Sequence, residues 1–194
     1  MKRCFDVMGA SILFLIAAFP MFGIALALWL SGSESVFFCQ WRLGYERIPF
    51  RIWKFRTMRV SEQDSTPADL VWSHQDDRVT AIGRVLRRTH LDELPQLWNV
   101  IWGDMSLVGP RPMTFLVWRE CWRRFSWSDR RFSVKPGMTG LAQICGRQML
   151  LIDPERARRL DNEYAEMEGS WRRLWCDVRI LWCTIPAVFF ARGV

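Results

Sequence analysis

From Val7 to Ser33 the chain carries no charged residue, and from Val7 to Leu30 it is almost continuously apolar. At about 1.5 Å per helical residue, this run is long enough to cross a hydrocarbon core about 30 Å thick. The run therefore predicts a membrane segment. Lys2 and Arg3 precede it, as in a secretory leader, with Ala25-Leu26-Ala27 as a weak cleavage site. Because the apolar run exceeds the ~7–15 residues of a leader core, a retained anchor is expected. Pro20 falls in its middle, removes one helical hydrogen bond and predicts a kink. The segment then either spans with a bend or enters the bilayer and turns back. Lys2 and Arg3 before it, and Arg42, Arg47, Arg51, Lys54, Arg56 and Arg59 after it, draw both flanks toward the cytoplasm. Two cytoplasmic flanks favour re-entry; the heavier positive count on the C-terminal side keeps a true span open.

Residues 1–34 are thus set apart as the membrane segment, and residues 35–194 are expected to form one cytosolic domain. The overall 50% apolar content suffices for a core. A net charge of +7 and a pI near 9.5 suit nucleic acid, an anionic membrane surface or a phosphorylated substrate alike. Twelve Trp against two Tyr favour the membrane, because the amphipathic indole prefers the headgroup level. The six cysteines form no Cys-x-x-Cys pair and only two His are present, which argues against a zinc site. Their apolar neighbourhoods predict buried, reduced thiols rather than disulfides.

Val36 to Met58 reads as a hairpin with a turn around Glu46 to Pro49. Its second strand sets Phe50, Ile52, Trp53 and Phe55 against Arg51, Lys54 and Arg56, predicting a buried face and a basic one. That basic face is either merely solvated or meets phosphates. Ser61 to Gln75 is polar and reads as a loop. Met113 to Phe125 predicts a helix with interleaved aromatic and basic residues, suited to a bilayer interface rather than to nucleic acid. Ser133 to Arg147, with three Gly and a Pro, reads as loop, turn and a short buried element. A charged helix follows from Pro154. In the last one, Trp171, Leu174, Trp175, Val178, Leu181, Trp182 and Ile185 recur at helical spacing opposite Arg172, Arg173, Asp177 and Arg179. Those charges forbid a span and predict an interfacial helix, or one packed on the core.

The chemistry concentrates between Arg87 and Pro112, RRTHLDELPQLWNVIWGDMSLVGPRP. Arg87, Arg88 and Arg111 are of the type that grips phosphate bidentately. The adjacent carboxylates Asp92 and Glu93 can divide two tasks, one attacking phosphorus and the other holding Mg²⁺. Pro95 cannot lie deep inside a helix, so the helix implied by Leu91, Leu94, Trp98 and Ile101 is expected to start near Asp92 and to favour an anion there. Taken alone, an Asp-Glu pair is more often a helix start, a Gly-Pro-Arg-Pro run more often a turn, and Asp104 more often a local backbone acceptor than a metal ligand. His90 is taken as a helix-start polar residue.

Three segments in order, PFRIWKFRTM (Pro49 to Met58), DDRVTAIGRVLRRTHLDELPQLWNVIWGDMSLVGPRP (Asp76 to Pro112) and KPGMTGLAQICGR (Lys135 to Arg147), resemble the bacterial sugar transferases. These are the small monotopic polyprenyl-phosphate sugar-1-phosphate transferases, or phosphoglycosyl transferases. The likeness runs through nearly the whole chain. It implies transfer of a sugar 1-phosphate from a nucleotide sugar, usually a UDP sugar, to a polyprenyl phosphate such as undecaprenyl phosphate. UMP is released, and a glycoconjugate such as an exopolysaccharide, capsule, O-antigen or glycoprotein glycan is begun. By the same resemblance Asp92 is the nucleophile of a covalent, ping-pong route and Glu93 serves a required Mg²⁺. Arg111, between Pro110 and Pro112, holds the nucleotide sugar, with Arg87, Arg88 and Arg147 as phosphate contacts. The expected architecture is α+β and mainly helical: a monotopic membrane protein with an N-terminal re-entrant helix broken at Pro20, a small cytosolic catalytic domain and interfacial amphipathic helices. The expected partners are the two substrates and the lipids of the bacterial inner membrane, with the domain on its cytoplasmic face, and no nucleic acid. Phe19 stands where members often carry Ser before the Pro, and His90 where Ser commonly precedes Leu-Asp-Glu. A membrane-anchored interaction module is the alternative from another class; the intact Asp92, Glu93 and Arg111 argue against it.

Overall fold

A computed structural model describes residues 1–59, 78–125, 129–146, 153–167 and 169–189. The polar loop expected at Ser61 to Gln75 and the candidate phosphate contact Arg147 lie outside the described residues. The chain is α+β and mainly helical. The apolar run forms one helix of 29 residues, α1 (Lys2–Leu30), with Pro20 inside it. It buries one stripe, Asp6, Ala10, Ala17, Met21 and Leu28, at helical spacing, while Ile12, Leu15, Ile16, Phe19 and Phe22 stay exposed. A helix apolar all round but packed along one stripe is suited to lipid on its remaining surface.

The hairpin is present as β1 (Phe37–Leu43) and β2 (Pro49–Phe55), antiparallel, with Phe37 opposite Phe55 and Leu43 opposite Pro49. A 3₁₀ turn at Tyr45–Arg47 closes it. On β2, strict alternation puts Lys54 on the same face as the buried Phe50 and Ile52. The basic face expected on this strand thus loses Lys54, which turns toward the interior.

Thr80 caps α2 (Ala81–Thr89) by accepting a hydrogen bond from the Gly83 amide at 2.9 Å. The helix ends at His90, whose φ of 60° places it in the left-handed region, so His90 closes one helix as well as preceding the next turn. A 3₁₀ turn at Leu91–Glu93 leads into α3 (Gln96–Trp102). The expected helix start near Asp92 is therefore corrected: Asp92 lies in a tighter turn, and α-helical bonding begins only after Pro95, which has no N–H to give. Further on come β3 (Ser106–Val108), α4 (Phe115–Phe125), a 3₁₀ stretch at Asp129–Ser133, β4 (Gly137–Thr139), α5 (Leu141–Ile144), α6 (Pro154–Glu166) and α7 (Ser170–Phe189). β3 and β4 pair in parallel, Ser106 with Gly137 and Val108 with Thr139. Leu28, Phe55, Leu97, Val100, Met105, Val108, Tyr164 and Ile180 make a core shared by α1, the hairpin, α3, β3, α6 and α7.

Two expectations about the exterior change. On α7 the Trp face is exposed, with Trp171, Trp175 and Trp182 each at least 65% accessible. Asp177, assigned to the polar outer face, is instead wholly buried, and Leu174 and Leu181 are half-buried beside it rather than out with the tryptophans. The helix therefore faces the core with its buried ion pair and turns its indoles outward. The cysteines are free thiols as expected, but none is buried: Cys4, Cys39, Cys145 and Cys183 are exposed and Cys121 and Cys176 half-buried. Only Cys176 among them packs against the core.

Candidate active site

The 3₁₀ turn brings Asp92 and Glu93 into the interior, 5% and 9% exposed. Buried carboxylates require partners. One oxygen of Glu93, Oε1, accepts hydrogen bonds from the Lys54 ammonium and from the Arg111 guanidinium, both at 2.9 Å. Three distant parts of the sequence meet there: β2, the turn after α2, and the loop after β3. Burial pushes the Lys54 ammonium below the ordinary lysine value, while Glu93 pulls it up and Arg111 adds a further push down.

β2 is held in place for this by Asn99 of α3, which is fully buried. Its Oδ1 accepts from the Trp53 amide at 3.1 Å and its Nδ2 donates to the Arg51 carbonyl at 2.7 Å. One amide thus fixes the strand that carries Lys54 against the helix that follows the carboxylate pair. Asp104 takes a hydrogen bond from the same Nδ2 at 3.1 Å, so it accepts from a side chain rather than from the backbone as expected.

Arg87 joins from α2, where its Nε donates to Thr57 Oγ1 at 2.9 Å. The helix approaches Thr57 so closely that a Cβ on Gly83 would sit 2.1 Å from the Thr57 carbonyl oxygen. Arg88 is exposed, and no contact joins it to the carboxylates among the described residues.

The Gly-Pro-Arg-Pro run is more than a turn. Its Gly109 amide donates to the Thr139 carbonyl at 2.8 Å, and the Pro110 carbonyl accepts from the Gly137 amide at 2.9 Å. Pro110 and Pro112 are buried and stiffen the loop, leaving Arg111 half-buried between them. The Arg111 carbonyl accepts from Arg131, whose guanidinium also pairs with Asp161 of α6 at 3.1 Å. Burial raises the Asp161 carboxyl above its usual range, and Arg131 opposes this.

Thr57, Asn99 and Arg131 went unassigned in the sequence, and Lys54 was placed on the basic face of its strand rather than at the carboxylates. Lys54 had a signal, since period-two alternation places it beside Phe50 and Ile52. Arg131 had none, because buried arginine breaks the usual pattern. The assembled cluster offers a buried carboxylate and a second carboxylate gripped by two cations, with Arg131 buttressing the Arg111 backbone. Such a set suits an anionic substrate whose charge shifts during reaction.

The model of the bacterial sugar transferase family matches residues 1–191. Over 99% of its length the chain is 41% identical to an undecaprenyl-phosphate glucose phosphotransferase of Komagataeibacter xylinus, of which it covers 36%. Over 95% it is 38% identical to the UDP-glucose:undecaprenyl-phosphate glucose-1-phosphate transferase of Escherichia coli K12, of which it covers 39%. Over 99% it is 40% identical to the exopolysaccharide production protein ExoY of Sinorhizobium fredii NGR234, of which it covers 87%. The chain thus spans less than half of the first two relatives and most of the third. Aligned over 95–99% of its own length with these proteins, and matched by the family model through its long apolar helix as well as its carboxylate pair, this chain belongs to the bacterial sugar transferase family.

Proposed function

We propose that the chain transfers a sugar 1-phosphate from a UDP sugar to undecaprenyl phosphate, releasing UMP, in the first membrane step of a glycoconjugate such as an exopolysaccharide or capsule. The observation that carries this reading is the convergence of Lys54 and Arg111 on Glu93 beside the buried Asp92, in a chain two of whose relatives are named as undecaprenyl-phosphate sugar transferases.

In the first half-reaction an Asp92 carboxylate oxygen attacks the phosphorus that bears the sugar. The bond to the bridging oxygen breaks, and that oxygen leaves on UMP. In the second, a phosphate oxygen of the lipid attacks the same phosphorus, and the carboxylate of Asp92 is released. Arg111 and Arg87 hold phosphate oxygens through both steps, and Lys54 with Arg111 orients Glu93. Two neighbouring carboxylates suit Mg²⁺, which takes one or two such ligands plus substrate phosphates and water. Glu93 would hold it, and the ion would neutralise charge on the diphosphate.

The architecture follows from the lipid substrate, whose phosphate stays at the interface while its chain lies in the bilayer. We place the domain on the cytoplasmic face of the inner membrane, with α1 re-entrant about Pro20. Both ends of α1 meet the same domain: Arg3 donates to the Val100 and Ile101 carbonyls, and Leu28 is buried in the shared core. That favours re-entry over a span.

Purified protein given Mg²⁺, a panel of UDP sugars and undecaprenyl phosphate is expected to release UMP with one or a few of the sugars. No UMP from any donor contradicts the proposal.

A further inference from the structure

Behind the Val108–Arg111 loop lies a second polar cluster that the reaction scheme leaves unused. Asp177 of α7 is wholly buried, Tyr164 of α6 is 1% exposed, and Lys2 of α1 reaches in to meet both. The Tyr164 hydroxyl lies 2.6 Å from Asp177 Oδ1 and 3.0 Å from the Val108 carbonyl oxygen. It has one proton for two acceptors. The Lys2 ammonium lies 2.7 Å from Asp177 Oδ2 and 3.2 Å from the same Val108 carbonyl. Its three protons can serve the carbonyl and the carboxylate at once, which the single Tyr164 proton cannot; Ser106 Oγ, at 2.9 Å, is a further donor to the Val108 carbonyl.

The register of α1 is fixed by neighbouring contacts. Asp6 Oδ1, one turn along the helix from Lys2, accepts from Ser106 Oγ at 2.9 Å and from the Leu107 amide at 3.1 Å. β3 is thereby gripped from α1 at three successive residues, and Arg111 follows three positions later. Two of the three helices that supply the cluster also expose apolar surface: Met8, Ile12 and Ile16 on α1, and Trp175, Val178 and Trp182 around Asp177 on α7.

We propose that Lys2, Tyr164 and Asp177 form a positioning lock that ties the seating of α1 and α7 to the conformation of the Val108–Arg111 loop. None of the three touches the carboxylate pair; they act through the Val108 carbonyl and the stiff Gly-Pro-Arg-Pro run. The effect on turnover rests on the function proposed above, whereas the effect on the loop does not.

The test uses the full chain in lipid nanodiscs, with Tyr164→Phe, which keeps the ring, and Asp177→Asn, which keeps the shape. Hydrogen exchange of peptides covering residues 106–112 is expected to quicken at least tenfold in Tyr164→Phe, with residues 37–55 unchanged. The same variant is expected to raise KM for the UDP sugar several-fold more than it lowers kcat. Asp177→Asn is expected to act in the same direction, and Lys2→Met added to it is expected to change loop exchange by less than it does alone in wild type. Unchanged exchange at 106–112 in Tyr164→Phe overturns the lock, as does a general acceleration across the chain. Quickened loop exchange in a protein whose wild type releases no UMP supports the lock and overturns the functional reading instead.

Discussion

Lys54 and Arg111 meet the same oxygen of Glu93 from opposite sides of the chain, so neither substitutes for the other. Lys54→Met is expected to lower kcat/KM on the order of 10²-fold, as removal of one preorganised charge does elsewhere, while the circular dichroism spectrum is retained. UMP release against donor concentration checks it. Gly109→Ala tests the backbone beneath Arg111: its Cβ would stand 2.4 Å from the Lys135 carbonyl oxygen and 2.9 Å from the Gly137 amide. Both are backbone atoms that cannot swing away, so a loss of about 1–3 kcal/mol is expected in chemical unfolding. Asp161→Ala leaves Arg131 charged and buried without its carboxylate and is expected to cost about 3–5 kcal/mol. At this scale the sequence was legible where the site is local. Asp92, Glu93, Pro110, Arg111 and Pro112 share one short stretch, which could be singled out from its residue types, while the roles expected of them came from the family resemblance. Lys54 and Arg131 were not legible, because hydropathy patterns send charges outward, and only a long-range partner reverses that.

Elements with a strong compositional or periodic pattern could be read directly: α1 as a long apolar helix, the β1–β2 hairpin, α4 and α6 all fall where the pattern puts them. The β3–β4 pair could not, since strands of three residues carry no readable period and a parallel pairing joins distant segments. α7 was legible as a helix but not in its orientation. Its pattern offered an aromatic face and a charged face, and neither faces the core whole: Asp177 is buried against Tyr164 and Lys2 beside Ile180, while Arg172 and Arg179 stay exposed. The outward tryptophans give the next prediction. Replacing Trp171, Trp175 and Trp182 together by Ser removes three large apolar side chains from the exposed face without touching the Asp177 cluster. At about 1.5–3 kcal/mol for burying one large apolar side chain, losing all three would weaken attachment of the full chain by several kcal/mol. Extraction into mild detergent or high salt is expected to become easier, with melting temperature within a few degrees of wild type. Unaltered extraction would assign that face to another role.

At the scale of the whole molecule, a helix of 29 residues is about 44 Å long, more than one hydrocarbon core requires, and both its ends are held by the same domain. Tags placed at Met1 and at Val194 are therefore both expected to be protected from external reagents in intact cells; labelling of the first alone would establish a span. A re-entrant anchor would hold the Asp92 site at the height where a lipid phosphate meets a soluble nucleotide sugar. The account stands most directly on Asp92 as the residue that carries the phosphosugar between them. In a single-turnover experiment with labelled UDP sugar, Mg²⁺ and no lipid acceptor, it predicts a burst of about one UMP per active chain and label retained on a peptide containing Asp92. Adding undecaprenyl phosphate should discharge that label, and Asp92→Asn should show neither burst nor label. UMP release that waits for the acceptor, with no labelled protein, or turnover that persists in Asp92→Asn, would contradict it.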